Sequence, residues 1–350
     1  PTDANAPTDG LIIGNGMFWI IRPNFDNDRL PAFGIVDEAS KINISTADEE
    51  TLELLPRMTR DDAAAIIDWR DTDENLTAGG AESSFYMTMP DPYRCKNAPF
   101  ETVEELLLVR AMTPEMLYGE DTNRNGMLDQ NENDADASYP ADNADGILDR
   151  GLYDYVTVYS SEGSAAGTAS GSSGTSTQPV DVNSASSDSL RQAFRNKIAE
   201  NRIEEVVART RTMRPFRNIF DYYFRTQLTY DEFKLIANSI TANATSSSGG
   251  RGGGRSSSST SATSSVKRGL VNLNTAARPV LMCLPTIGEP EADAIIQRRA
   301  SRTEDEGIAW LVQALPQEKA VAIGSIVTGR SYQFSADIVS VSADGRAFRR

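Results

Sequence analysis

The chain has 350 residues, 39% of them apolar, enough for two or three domains with cores of their own. Fifty acidic side chains against 34 basic ones leave a formal net charge of −16. That balance repels phosphate backbones and anionic lipid surfaces and favours cations and basic partners. Histidine is absent, which removes the commonest general base and the commonest transition-metal ligand. No lysine loop for phosphate and no GxSxG elbow occurs, and the glycine run 249–254 has neither strand nor helix beside it. The reading is therefore a non-enzymatic protein. Asp68 with Asp71 and Asp73 reads as a polar helix end rather than a carboxylate site.

The chain opens on Pro1, which points to a segment removed in front of it. The longest apolar stretch, Leu11 to Ile21, is broken by Gly14, Asn15 and Gly16 and falls short of a membrane span. Strand signals follow at Met17–Arg22 and Phe33–Asp37, and again at Asp154–Ser160, Tyr332–Val341 and Gly345–Arg349, with Asp344-Gly345 as a turn. Cys95 and Cys283 lie too far apart in sequence for a CxxC or zinc motif. A disulfide and a pair of buried thiols are both open from the sequence.

Between the strands a unit recurs. Ile42-Asn43-Ile44-Ser45-Thr46-Ala47, Leu52, Leu55-Pro56, Ala65-Ile66-Ile67 and Arg70 reappear, 229 residues on, as Val271-Asn272-Leu273-Asn274-Thr275-Ala276, Leu281, Leu284-Pro285, Ala294-Ile295-Ile296 and Arg299. A weaker copy starts at Val180-Asp181-Val182-Asn183-Ser184-Ala185 and keeps apolar spacing through Leu190, Ile198, Ile203, Val206 and Val207. Thr46, Ser184 and Thr275 are expected N-caps, Thr46 with Glu49 as a capping box. A last short helix in each copy begins near Thr113, Thr229 and Pro316. Two Ser/Thr/Gly/Ala-rich runs, 161–179 and 244–266, read as flexible linkers. The boundaries are then 1–38 for N-terminal strands, 39–150 for the first repeat, 151–160 for a strand, 180–243 for the second repeat, 267–330 for the third and 331–350 for closing strands. Strands at both ends with helices between make the class α+β.

One segment carries a chemical pattern. Asp121, Asn123, Asn125, Asp129 and Glu132 place oxygen at positions one, three, five, nine and twelve of a calcium loop, Gly126 sits at six, and the Met127 carbonyl would serve position seven. A second, incomplete loop has Asn143, Asp145, Gly146, Ile147 by its carbonyl, and Asp149, with Ala141 and Leu152 at the places where ligands are missing; Asp134 or Asp136 could supply them. Between 120 and 154 stand ten acidic and two basic side chains, which repel one another without cations. The expectation is one calcium site, with a second beside it.

In the third copy, Pro285-Thr286-Ile287-Gly288 is similar to the hairpin of helix-hairpin-helix DNA-binding modules. The other copies lack it, and basic residues nearby are sparse, so a helical packing module is preferred and no nucleic acid is expected.

The order Phe33-Gly34-Ile35-Val36-Asp37-Glu38, Lys41-Ile42-Asn43, Ala65-Ile66-Ile67-Asp68-Trp69-Arg70-Asp71, Tyr93, Lys96-Asn97-Ala98-Pro99-Phe100 and Glu104-Glu105-Leu106 resembles the K-type minor pseudopilins of type II secretion. The resemblance covers roughly 17–160 and returns at 271–299 and in the closing strands. The serine-rich linkers and the extra repeat depart from it. It implies a pseudopilin-type small antiparallel sheet with large helical insertions, SAM-like or helix-hairpin-helix-like. It also implies an N-terminal membrane helix outside this chain, a periplasmic place at a filament tip, I- and J-type partners and bound calcium. The expected state of the chain alone is a monomer. The alternative is a periplasmic DNA-binding protein of competence type.

Overall fold

Both ends of the chain meet in one antiparallel sheet. In the computed structural model, which describes residues 8–135, 137–162, 179–242, 267–303 and 306–349, the strands run in the order Leu11–Ile13, Gly16–Arg22, Asp337–Val341, Ala347–Arg349, with Ala32–Phe33 paired to the second. Met17 faces Val341 and Ile21 faces Asp337 across the central pair. The β-branched and aromatic run Met17–Arg22 suits a pleated surface. A two-residue turn, Gly14-Asn15, closes the first hairpin, with Gly14 at φ 59°. No residue of this sheet is buried, and Ile13 and Phe348 are 69% and 68% exposed.

The fold is α+β and divides into two units: residues 1–161, 275–283 and 331–350, and residues 162–274 and 284–330. The linker residues 163–178 and 243–266, and Asp136, lie outside the described residues. No helix among the described residues is long and apolar enough to cross a membrane.

In the first unit the helices Glu49–Glu53 and Arg60–Arg70 bury Leu52, Ile66 and Trp69 with Leu106 and Leu117. Trp69 meets Tyr86 edge-on at 5.3 Å, and Tyr86 stacks on Tyr93 at 5.2 Å. The second unit is centred on Phe194, Phe216, Phe220, Tyr222, Phe233 and Trp310, all fully or almost fully buried. Cys95 and Cys283 are both buried free thiols, which resolves the question the sequence left open.

Each repeat is tied by the same local device. Its entering strand makes a short parallel pair with a returning one: Ile42–Asn43 with Val156–Thr157, Val180–Asp181 with Ile240–Thr241, and Val271–Asn272 with Val327–Thr328. The strand expected at 154–160 is thus two residues long and belongs to the closure of the first repeat. Asn43, Asp181 and Asn272 each accept the amide two residues on, at 2.9–3.0 Å. An arginine then takes up carbonyls of the turn. Arg70 donates to Ile44 and Ala47, Arg214 to Val182 and Ala185 at 2.6 Å, and Arg299 to Leu273 at 3.3 Å. Arg214 therefore continues the pattern in the copy whose later sequence reads as apolar spacing alone.

The caps correct one expectation. Thr46 and Ser184 sit inside the turn, and the helices are capped two residues later, where Asp48 accepts from Thr51 N and Ser186 from Ser189 N. The side chain at Asn43 or Asp181 bends the backbone before the helix can start, so the cap moves past the turn. Thr113 and Thr229 do cap their helices, Thr229 in a capping box with Glu232.

Candidate metal centre

Within the first unit, the segment 120–150 leaves the helices and returns to them through a crossing that only glycine permits. A Cβ on Gly119 would lie 2.1 Å from the Asp149 carbonyl, and one on Gly151 2.3 Å from that of Leu117. Both chains pass at backbone contact, with a bridge between Gly119 and Arg150.

Between these glycines two loops share one backbone signature. Arg124 and Gly126 have φ of 58° and 73°, and Ala144 and Gly146 have 54° and 79°. In the first loop Asp121 accepts from the amides of Asn125 and Gly126 at 2.9 and 2.7 Å. Asn123 accepts from Asn125 N at 2.9 Å, and Asn125 from Met127 N at 2.7 Å. Glu132 turns back to accept from Asp129 N at 3.1 Å. These local turns fold the residues of positions one, three, five, nine and twelve into one tight loop. The side-chain amides of Asn123 and Asn125 both donate to Asp129 Oδ2, at 2.6 and 2.8 Å.

The electrostatics fit a cation. Glu132 is 1% exposed, and among the described residues its Oε1 has no hydrogen-bond partner. Burial, with the charges of Asp121 and Asp129 beside it, pushes its carboxyl up to about 7. Asp121, also buried, is raised for the same first reason. A calcium ion would supply the charge this orphaned oxygen lacks.

The second loop draws two of its hydrogen-bond partners from outside its own span. Asp145 N donates to Asn143 Oδ1 and Ile147 N to Asp145 Oδ1, both at 2.8 Å, repeating the first loop's turns. The role of Asp121 toward Gly126 is taken by Asn133, whose Oδ1 accepts from Gly146 N at 2.9 Å. The role of Glu132 toward Asp129 is taken by Glu120, whose Oε2 accepts from Asp149 N at 3.0 Å. Glu120 is buried, and its carboxyl is raised by burial and by Asp149 and Asp142. Asp134, expected to help here, instead accepts from the amide and hydroxyl of Ser138. Asp149 also pairs with Arg57 at 2.8 Å. Nothing in the local sequence marks Asn133 or Glu120, because both act across the loop.

The loops are anchored to the segment that follows the strand Gly16–Arg22. Leu128 N donates to the Asp28 carbonyl and Leu148 N to its carboxylate, at 2.8 and 2.9 Å. Arg150 donates to the carbonyls of Asn24 and Gly126 at 2.9 and 3.0 Å. Arg349, from the last strand, donates to the carbonyls of Asn123 and Arg124.

In two of the helical hairpins the backbone amide that a phosphate would need is already engaged. In a phosphate-binding hairpin the amide at the second helix's start would be free; here Gly288 N donates to Glu291 Oε2 at 3.0 Å, and Thr59 N to Asp62 at 3.0 Å. Lys319, 2.7 Å from Glu291, is engaged as well. The expected result of a gel-shift titration at physiological salt is no duplex retention; a salt-dependent Kd tighter than about 10 µM would contradict it.

Residues 50–118 match the family described as Type II secretion system (T2SS), protein K. That stretch is thus similar to the K-type minor pseudopilins, a family of structural subunits of type II secretion. The chain is similar to a solved structure from enterotoxigenic Escherichia coli, the GspK-GspI-GspJ complex of its type 2 secretion system, with a TM-score of 0.43 and 10% identity over 98% of this chain and 76% of that one. No curated protein sequence matches.

Proposed function

We propose that this protein is a calcium-holding minor pseudopilin of the K type, placed at the tip of a type II secretion pseudopilus in the bacterial periplasm and supporting export across the outer membrane. The observation that carries the reading is the match of 50–118 to the protein K family. Calcium is held by Asp121, Asn123, Asn125, Asp129 and Glu132, with the Met127 carbonyl. A second ion lies among Asn143, Asp145, Asp149, the Ile147 carbonyl, Asn133 and Glu120. The ions neutralise a segment that otherwise repels itself.

The partners are the I- and J-type minor pseudopilins, and the docking element is the terminal sheet. A sheet with apolar residues on both faces and no buried side chain gains stability when something covers it. Because Arg349, Asp28 and Arg150 tie that sheet region to the loops, calcium sets the shape of the docking element. A chain of net charge −16 stacked on its own copies is repelled, so it occupies one place rather than forming the shaft. The expected result is a monomer in sedimentation, and a discrete one-to-one-to-one complex when I- and J-type partners are added. Concentration-dependent homopolymers would overturn it.

A further inference from the structure

Away from the 120–150 loops, a second set of carboxylates converges. Asp68 lies in the last turn of the helix Arg60–Arg70, Asp71 follows that helix, and Glu82 precedes the short helix Ser83–Tyr86. One oxygen from each lies within 4.8 Å of the others. Asp68 is fully buried and Glu82 is 2% exposed. Asp68 accepts from Thr77 N at 3.2 Å. Among the described residues, neither carboxylate oxygen of Glu82 has a hydrogen-bond partner.

Buried carboxylates facing one another cost several kcal/mol unless a cation or a proton intervenes. Burial first, then the charges of Asp68, Asp71 and Glu74, push Glu82 up to about 7. The backbone is shaped to bring the loop onto this spot. A Cβ on Gly80 would lie 2.1 Å from Asp68 Oδ2, and Gly79 has φ of 86°. Arg110 donates to the carbonyls of Gly79 and Gly80, so the nearby guanidinium holds the loop's backbone. Three oxygens within 4.8 Å of one another can share a single ion, since a calcium–oxygen distance near 2.4 Å spans about 4.8 Å across it. All three donors are hard oxygens. The Cys95 thiol, pushed up to about 12 by burial and then by Glu82, stays protonated, which disfavours a soft metal.

We propose that Asp68, Asp71 and Glu82 hold a divalent cation of the calcium class, which pins the 71–82 loop onto the helix Arg60–Arg70. The site shares no residue with the loops of 120–150 and does not depend on their occupancy. Calorimetric titration of the chelator-stripped full chain with calcium chloride tests it, comparing the natural chain with Glu82→Gln, Asp71→Asn and Glu132→Gln. Glu82→Gln is expected to lose one equivalent of bound calcium. Asp71→Asn, at a partly exposed position, is expected to keep the fold and weaken one class of site about tenfold or more. Glu132→Gln is expected to retain that class while losing a loop equivalent. Should Glu82→Gln lose its helical circular dichroism, Asp71→Asn decides alone. The same number of sites and the same affinities in Asp71→Asn and the natural chain would overturn the proposal, and would mean that Glu82 is simply protonated.

Discussion

Chelation is expected to lower the melting temperature of this chain sharply at pH 7.5 and far less at pH 5. The reason is the Glu132 carboxyl, buried, with one oxygen unpartnered, and raised to about 7. An acid whose pKa is higher in the folded state contributes stability that is complete below its unfolded pKa of about 4.5. That contribution is lost as the pH rises through about 7. The metal-free chain therefore melts progressively lower from pH 5 to 7.5. Glu120, Asp121 and Glu82 are shifted the same way and add to the slope. With calcium the carboxylates ionise against the ion instead of against each other. At a free concentration of 100 Kd the ion adds about 2.7 kcal/mol per site. The two pH curves should thus diverge toward neutral pH. Glu132→Gln should remove the first loop's share of the calcium response and flatten part of the metal-free slope. Scanning calorimetry with calcium or chelator at both pH values measures this. Superimposable melts at pH 7.5 would refute the first loop as a calcium site.

Arg150→Ala is expected to cost about 3–5 kcal/mol, the loss typical of breaking a buried ion pair by removing one partner. The Arg150 side chain is 6% exposed and pairs with Asp154 at 2.9 Å. It also donates to the carbonyls of Asn24 and Gly126 and lies over the ring of Phe25 at 5.1 Å. Truncation leaves a carboxylate and two carbonyls unmatched in one step. Arg150→Lys should recover less than half the loss, because an ammonium cannot present the guanidinium's fork to three acceptors. Calcium affinity should fall too, since Gly126 is the turning residue of the first loop. Urea denaturation of the calcium-loaded chain, with calorimetry beside it, gives both values. A stability loss below about 1 kcal/mol, in the range of an exposed pair, would show that Arg150 does not join the two segments.

The turns of the first loop and of the paired motifs were legible in the sequence because their determinants are local. Asp121, Asn123, Asn125 and Glu132 each bond to an amide at most five residues away, so spacing alone places them. The paired motifs at Asn43 and Asn272 likewise turn the chain within two residues. Tertiary structure alone decided what acts across distance. Asn133 and Glu120 complete the second loop from outside its span, Arg214 serves a repeat whose sequence has drifted, and Met17 finds Val341 across nearly the whole chain. Asp68, Asp71 and Glu82 read as a helix end and an unremarked glutamate until the 71–82 loop folds back, with Gly80 against Asp68. A bond within a few residues is limited by backbone geometry and leaves a pattern in spacing, whereas one between distant segments depends on how the chain packs and leaves none.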